Sequence, residues 1–154
     1  MSLDLLLAFG VGLVWGSFTN VLIYRLPRMV MAAHEAQGQQ TSRFDVCFPA
    51  SHCPHCQTPL KIWHNIPVLS FIGLRGRCSV CGQAIAWTYP LVELATGLLW
   101  AGCAWRWGIT PESLCWALFF SALLGLAIID GQTTLLPDAL TQPLLWLGLI
   151  ASAS

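Results

Sequence analysis

Two Cys-x-x-Cys pairs, Cys53/Cys56 in "CPHC" and Cys78/Cys81 in "CSVC", stand in one stretch of this chain. Four thiolates at that spacing fit a tetrahedral zinc site: each x-x knuckle points two sulfurs at one ion, and residues 57–77 bring the knuckles together. All four ligands would be protein thiolates, which leaves no open position for an activated water, so the expected zinc is structural rather than hydrolytic. His52 and His55 flank the first pair and could substitute as ligands, but two complete pairs make them unnecessary. Redox Cys-x-x-Cys chemistry and unliganded thiols are the alternatives. Cys47, Cys103 and Cys115 fall outside the pattern, and the last two lie in apolar runs where small buried thiols are ordinary core residues.

Carboxylates carry the second possible chemistry. Asp130, in "AIIDGQTTLLPD", follows the uncharged run Leu114–Ile129. An ionisable group at or inside a membrane is a functional-site candidate, and at the C-terminal end of its helix Asp130 meets the unfavourable end of the macrodipole. Neither capping nor dipole stabilisation explains it. Asp138 follows Pro137 and precedes the next apolar run, where it could cap a helix. Peptide hydrolysis by carboxylates takes two of them sharing a proton: one activates a water as general base, and its neutral neighbour protonates the scissile carbonyl oxygen. Glu93 and Asp138 are the secondary candidates on this chain, and neither is an obvious partner for Asp130. Asp4 belongs to the opposite end.

The elements that must position these groups are membrane helices. The 154 residues are 56% hydrophobic and 9% charged, where a soluble domain carries about 25% charge. Formal net charge is zero, which points to no nucleic-acid partner. A bilayer core takes about 20 apolar residues per helix. Leu5–Tyr24 is uncharged throughout, lacks a basic n-region and a small-x-small cleavage site, and reads as an uncleaved span. Further spans are expected at about 84–105, with Pro90 and Glu93 near its start, at 112–129, and at 139–154, the last too short for a full crossing. The expectation is an all-α polytopic membrane protein of about four transmembrane helices, the last incomplete, with a zinc-binding loop between the first two. Its parts are a first helix (1–24), a loop (25–83) and the start of a membrane domain (84–154).

Six of the seven basic residues lie between Arg25 and Arg77, so the positive-inside rule places that loop in the cytoplasm, the N-terminus outward and Asp130 at the cytoplasmic mouth. A loop this poor in apolar side chains would draw much of its folding free energy from metal binding. Arg75 and Arg77 read as solvated charges that enforce topology, or as contacts to anionic lipid headgroups or a cofactor carboxylate. "NIPVLS" (65–70) is an apolar patch expected against the membrane surface, and His34–Ser42 reads as a loop or short helix. No internal repeat is visible.

Several stretches, in order, resemble the type IV prepilin peptidases, also called prepilin leader peptidases/N-methyltransferases: "GLVWGSFTNVLIYRLP" (12–27), "CPHC…NIPVLSFIGLRGRCSVCG", "YPLVELATG" (89–97) and "IDGQTTLLPDALTQPLLWLG". The resemblance implies a multi-pass aspartyl protease of the bacterial inner membrane. Such an enzyme cuts the leader peptide from type IV prepilins or type II secretion pseudopilins, and many members then methylate the new N-terminus with S-adenosylmethionine. It assigns the first catalytic aspartate to Asp130, within the Asp-x6-Pro-Asp arrangement of Asp130, Pro137 and Asp138. It also assigns zinc to Cys53, Cys56, Cys78 and Cys81. The second catalytic aspartate of the family lies in a Gly-x-Gly-Asp motif that these 154 residues do not contain, so the chain by itself is expected to be incomplete for proteolysis. The alternatives are a non-catalytic, zinc-stapled membrane protein that binds prepilin or an assembly partner, and a membrane thiol oxidoreductase.

Overall fold

The computed structural model describes residues 3–35, 45–46, 51–53, 55–60 and 66–153. It is helical: α1 (Leu3–Glu35), α2 (Leu69–Gly73), α3 (Thr88–Trp107), α4 (Pro111–Thr133) and α5 (Asp138–Ala153), with no strand among the described residues beyond two isolated bridges. Two helices, α1 over Leu3–Ala33 and α4, are long and apolar enough to cross a membrane by length and composition. Leu7, Val14, Leu98, Trp105 and Leu145 are more than half exposed, so much of the apolar surface faces outward, as a bilayer solvent favours.

The contact between α1 and α3 is built on small residues. Gly12 and Gly16 stand four apart on one face of α1, and a Cβ on Gly12 would lie 2.8 Å from the Cα of Gly97, one on Gly16 2.7 Å from the Cα of Glu93. Where lipid tails remove the hydrophobic drive between helices, such close backbone approach supplies the dispersion contact that holds them. The helices run antiparallel, Phe9 meeting Gly97 and the Asn20 amide donating to the Tyr89 carbonyl at 3.0 Å. Helix α4 lies across both. At one end Ile23, Val92 and Ile129 form a buried cluster joined by Leu140 of α5; at the other, Trp100, Cys103 and Ala117 cluster with Trp15, Trp107 and Trp116 around them.

Helix boundaries depart from the sequence expectation in three places, one of them the end of α4, which runs past Ile129 to Thr133. Helix α1 continues past Tyr24 and through Pro27 to Glu35. Leu26 and Pro27 are buried, and the Arg28 guanidinium stacks 3.5 Å above the Tyr24 ring one turn earlier, so tertiary contacts hold the helix across the missing proline N–H. The second span starts at Thr88 rather than near Ala84 because Ala84 pairs with Arg77 and the Ile85 N–H donates to Gly76, which commits both residues to the loop. Helix α4 begins with a full capping box: the Thr110 hydroxyl accepts from the Ser113 amide at 3.2 Å, the Ser113 hydroxyl accepts from the Thr110 amide at 3.3 Å, and Pro111 takes the first position. Cys47 and residues 36–42 of the His34–Ser42 stretch lie outside the described residues.

Candidate metal centre and the carboxylates at its end of the bundle

The two cysteine pairs sit on two knuckles with the same backbone plan. In the first, the Gln57 N–H donates to the Cys53 carbonyl and the Cys53 N–H to the Thr58 carbonyl; in the second, Gly82 donates to Cys78 and Cys78 to Gln83. His52 bridges Pro59 as Arg77 bridges Ala84. The loop therefore contains a structural repeat that the sequence hides, since outside the cysteines the equivalent residues share little chemistry. The fifth residue of each knuckle has a left-handed backbone, φ 70° at Gly82 and φ 56° at Gln57. Only the second knuckle carries the glycine that such a turn favours.

All four sulfurs lie within 4.8 Å of one another, with Cys53–Cys81 at 3.8 Å and Cys56–Cys78 at 4.0 Å. A tetrahedron of Zn–S bonds of about 2.3 Å places its sulfurs about 3.8 Å apart, so the donor set fits zinc in both kind and size. The distances exclude disulfides, and all four thiols are free. The cluster could bind zinc. Neither His52 nor His55 belongs to it.

The thiols are electrostatically unequal. The Thr58 hydroxyl and amide hold the Cys56 thiol down at about 6. The amides of Cys81 and Val80 lower Cys78. The Gln83 amide favours the Cys81 thiolate, but burial and the hydrogen bonds shared with Cys78, Cys56 and Cys53 outweigh it and push Cys81 up to about 11. Backbone N–H groups aimed at sulfur are how knuckles ready a thiolate for a metal.

Two contacts tie this loop to the helices. The Val68 N–H donates to Glu93 Oε2 at 2.8 Å, and the Phe71 ring meets Trp87 edge-on with centroids 4.8 Å apart. Val68 has φ 59°, a strained conformation for a β-branched residue. Glu93 is 8% exposed, with the Ser17 hydroxyl beside its carboxylate.

Asp130 lies in the last turn of α4, exposed, one residue after the fully buried Ile129. Because Ile129 meets Ile23 and Val92, Asp130 is at the end of the bundle that carries the thiol loop. Thr134, with φ 53°, closes α4 by donating its N–H to the Asp130 carbonyl at 2.8 Å. Asp138 opens α5 as its first residue, where an acidic side chain suits the helix dipole. Asp130 and Asp138 thus flank one short connection. Glu93 is held by the Val68 amide. The α1–α3 glycine seam was the element that sequence reasoning passed over, although the Gly12-x-x-x-Gly16 spacing in "GLVWG" announces it.

The family model for the bacterial peptidase A24 N-terminal domain matches residues 11–107. The chain is 47% identical over 154 residues to a prepilin leader peptidase/N-methyltransferase of Pseudomonas putida, covering 95% of this chain and 54% of that protein. It is 46% identical over 153 residues to the protein of the same name from Dickeya chrysanthemi (91% and 53%) and 46% over 143 residues to that of Klebsiella pneumoniae (93% and 59%). It spans about half the length of these curated relatives. No solved structure matches it.

Proposed function

Because this chain belongs to the bacterial peptidase A24 N-terminal domain family, we propose that it works as part of an inner-membrane aspartyl endopeptidase. The substrates are type IV prepilins or type II secretion pseudopilins, cut at the leader peptide, and the new N-terminus is then methylated from S-adenosylmethionine. The names of its relatives support both activities. In this reading the bundle end that carries the thiol loop faces the cytoplasm, where Arg25, Arg28, Arg75 and Arg77 concentrate. Zinc on Cys53, Cys56, Cys78 and Cys81 staples the loop against α1 and α3.

Asp130 is the observation that carries the proteolytic reading. It is an exposed carboxylate in the last turn of an apolar helix, followed by Pro137-Asp138 and level with the thiol loop. A charged group costs least at the bilayer edge, where water needed for hydrolysis is also at hand. As ionised base it takes a proton from that water. A second carboxyl beside it, the Gly-x-Gly-Asp aspartate that the resemblance implies, stays protonated and polarises the scissile carbonyl.

The test is Asp130→Asn in the peptidase as it stands in the membrane, with leader removal followed by the mass of the pilin product. Cleavage should fall by at least about 1,000-fold, the scale on which a reacting group acts, while zinc content stays unchanged. Cleavage that survives the substitution would leave the non-catalytic, zinc-stapled binding protein as the better reading.

A further inference from the structure

The loop that carries the thiols also carries an uncovered apolar ridge. Ile66, Leu69 and Ile72 recur every third residue through the turn that enters α2 and through α2 itself, so they lie along one face. Leu69 is 68% exposed and Ile72 65%, and Trp87, the N-cap residue of α3, is 70% exposed. Phe71 turns the other way: its ring meets Trp87 edge-on and lies over Gly76, where a Cβ would stand 3.0 Å from it. This contact joins α2 to the second knuckle and sets Trp87 beside the ridge. Just beyond α2, Arg75 and Arg77 are exposed, and the chain from Ile66 to Trp87 holds no acidic residue to neutralise them.

The depth of the ridge follows from two contacts. The uncharged run of α1 ends at Tyr24, which marks the edge of the hydrocarbon layer. Glu93 packs its Cα against Gly16 of α1, which lies about 12 Å along the helix axis from Tyr24. Glu93 Oε2 in turn accepts the Val68 N–H at 2.8 Å. A glutamate side chain and one hydrogen bond together are shorter than the distance from Gly16 to Tyr24, so α2 is held at the boundary between acyl chains and headgroups and not in bulk water. Asn20, whose amide donates to the Tyr89 carbonyl, fixes the foot of α3 at the same level.

We propose that Ile66, Leu69, Ile72 and Trp87, with Arg75 and Arg77, form a docking surface for the anionic phospholipids of the bilayer leaflet on the loop's side. The apolar ridge enters the acyl region as the apolar face of an interfacial helix does. Trp87 takes headgroup depth, where an indole buries its ring and keeps its N–H wet. The two guanidiniums pair with headgroup phosphates, whose geometry their planar forks match. Depth and charge both name lipid as the occupant: the ridge continues the outward-facing apolar surface of α3, where Leu91 and Leu98 are more than half exposed, and two cations without acidic neighbours complement a negative leaflet. Lipid then holds the loop from outside while the thiol cluster holds it from within.

The experiment uses the zinc-loaded protein in vesicles of equal parts phosphatidylglycerol and phosphatidylcholine. Leu69→benzoylphenylalanine and Ile72→benzoylphenylalanine place a photoreactive ring on the ridge, and Val11→benzoylphenylalanine, at an exposed position inside the α1 span, is the control. Mass spectrometry of the irradiated protein identifies what each ring captures. The ridge positions should capture phospholipid and favour phosphatidylglycerol by about fivefold or more, the scale on which one arginine near an anionic surface acts, whereas Val11 should show no headgroup preference. Arg75→Gln combined with Arg77→Gln should bring the two lipids near equality at unchanged zinc content and unfolding temperature, and added salt should weaken the preference in the native pair. A ridge that captures protein, whether a second copy or another segment, or that captures nothing while Val11 captures lipid, overturns the proposal. So does equal capture of the two lipids with both arginines in place.

Discussion

The Cα of Gly16 lies so close to Glu93 that a single added methyl would stand 2.7 Å from the Glu93 Cα. The neighbour is backbone, which cannot rotate away, so the helices must part. Gly16→Ala should therefore destabilise the protein by about 1–3 kcal/mol, as overfilling of a tight contact does. Gly10, with nothing within 4 Å of its would-be Cβ, is the control: Gly10→Ala should be neutral or stabilise by up to about 1 kcal/mol through helix propensity. Thermal unfolding in detergent measures both, and equal behaviour of the two variants contradicts the seam.

Metal removal should expose the inequality of the thiols. In the reduced, metal-free protein at pH 7, Cys56 at about 6 is mostly thiolate and Cys81 at about 11 is protonated, so iodoacetamide should modify Cys56 first and Cys81 last. The Cys56 rate should fall as pH drops through 6, where its thiolate is protonated. Zinc should protect all four, and Cys78→Ser should lower the bound metal below one ion per chain. Peptide mapping by mass spectrometry and metal analysis give the readouts.

The two knuckles predict a stabilising change. Gln57 adopts the left-handed turn that Gly82 adopts in the second knuckle. A side chain there costs about 1–2 kcal/mol, partly offset by the greater freedom that glycine gives the unfolded chain, so Gln57→Gly should gain about 0.5 kcal/mol. The midpoint of a chelator titration should move to higher chelator concentration. Gly82→Gln should move it the other way.

Ser121 is fully buried in α4, accepts the Trp100 indole N–H at 3.0 Å and donates to the Ala117 carbonyl. Ser121→Ala strands that N–H in an apolar surround and should cost about 1–3 kcal/mol. Trp100→Phe in the same background should recover part of the loss, since it removes the stranded donor. A double-mutant cycle on unfolding temperature reads the coupling.

Metal chemistry was legible in the sequence because Cys-x-x-Cys is local: the knuckle is a turn, and four residues suffice to write it. The helices were legible because a bilayer demands long apolar runs. Their ends were less so. Ala84 and Ile85 are as apolar as the span that follows, and only their pairing with Arg77 and Gly76 removes them from it. The first span is expected to end at Tyr24, where the uncharged run meets Arg25, but Leu26 and Pro27 are buried and the helix continues through them. The equivalence of the knuckles is a matter of backbone hydrogen bonds that Gln57 and Gly82 reach from different side chains, so no comparison of residue types reveals it.

What the sequence by itself determined is the inventory: apolar helices, four thiols at knuckle spacing, and an aspartate set where an uncharged helix meets water. Each is dictated by nearest neighbours along the chain. Only the tertiary structure decided which groups meet. Glu93, one candidate carboxylate among several in the sequence, is turned toward α1 and the loop because Gly16 lets the helices close at that level, and Val68 donates to it from residues far away in the chain. Asp130, set beside Ile129 at the same end of the bundle, stays outside the cavity that Glu93 lines. Helical periodicity fixes which residues share a face, but the partner of that face is chosen by close contact between backbones, and that is a property of the fold.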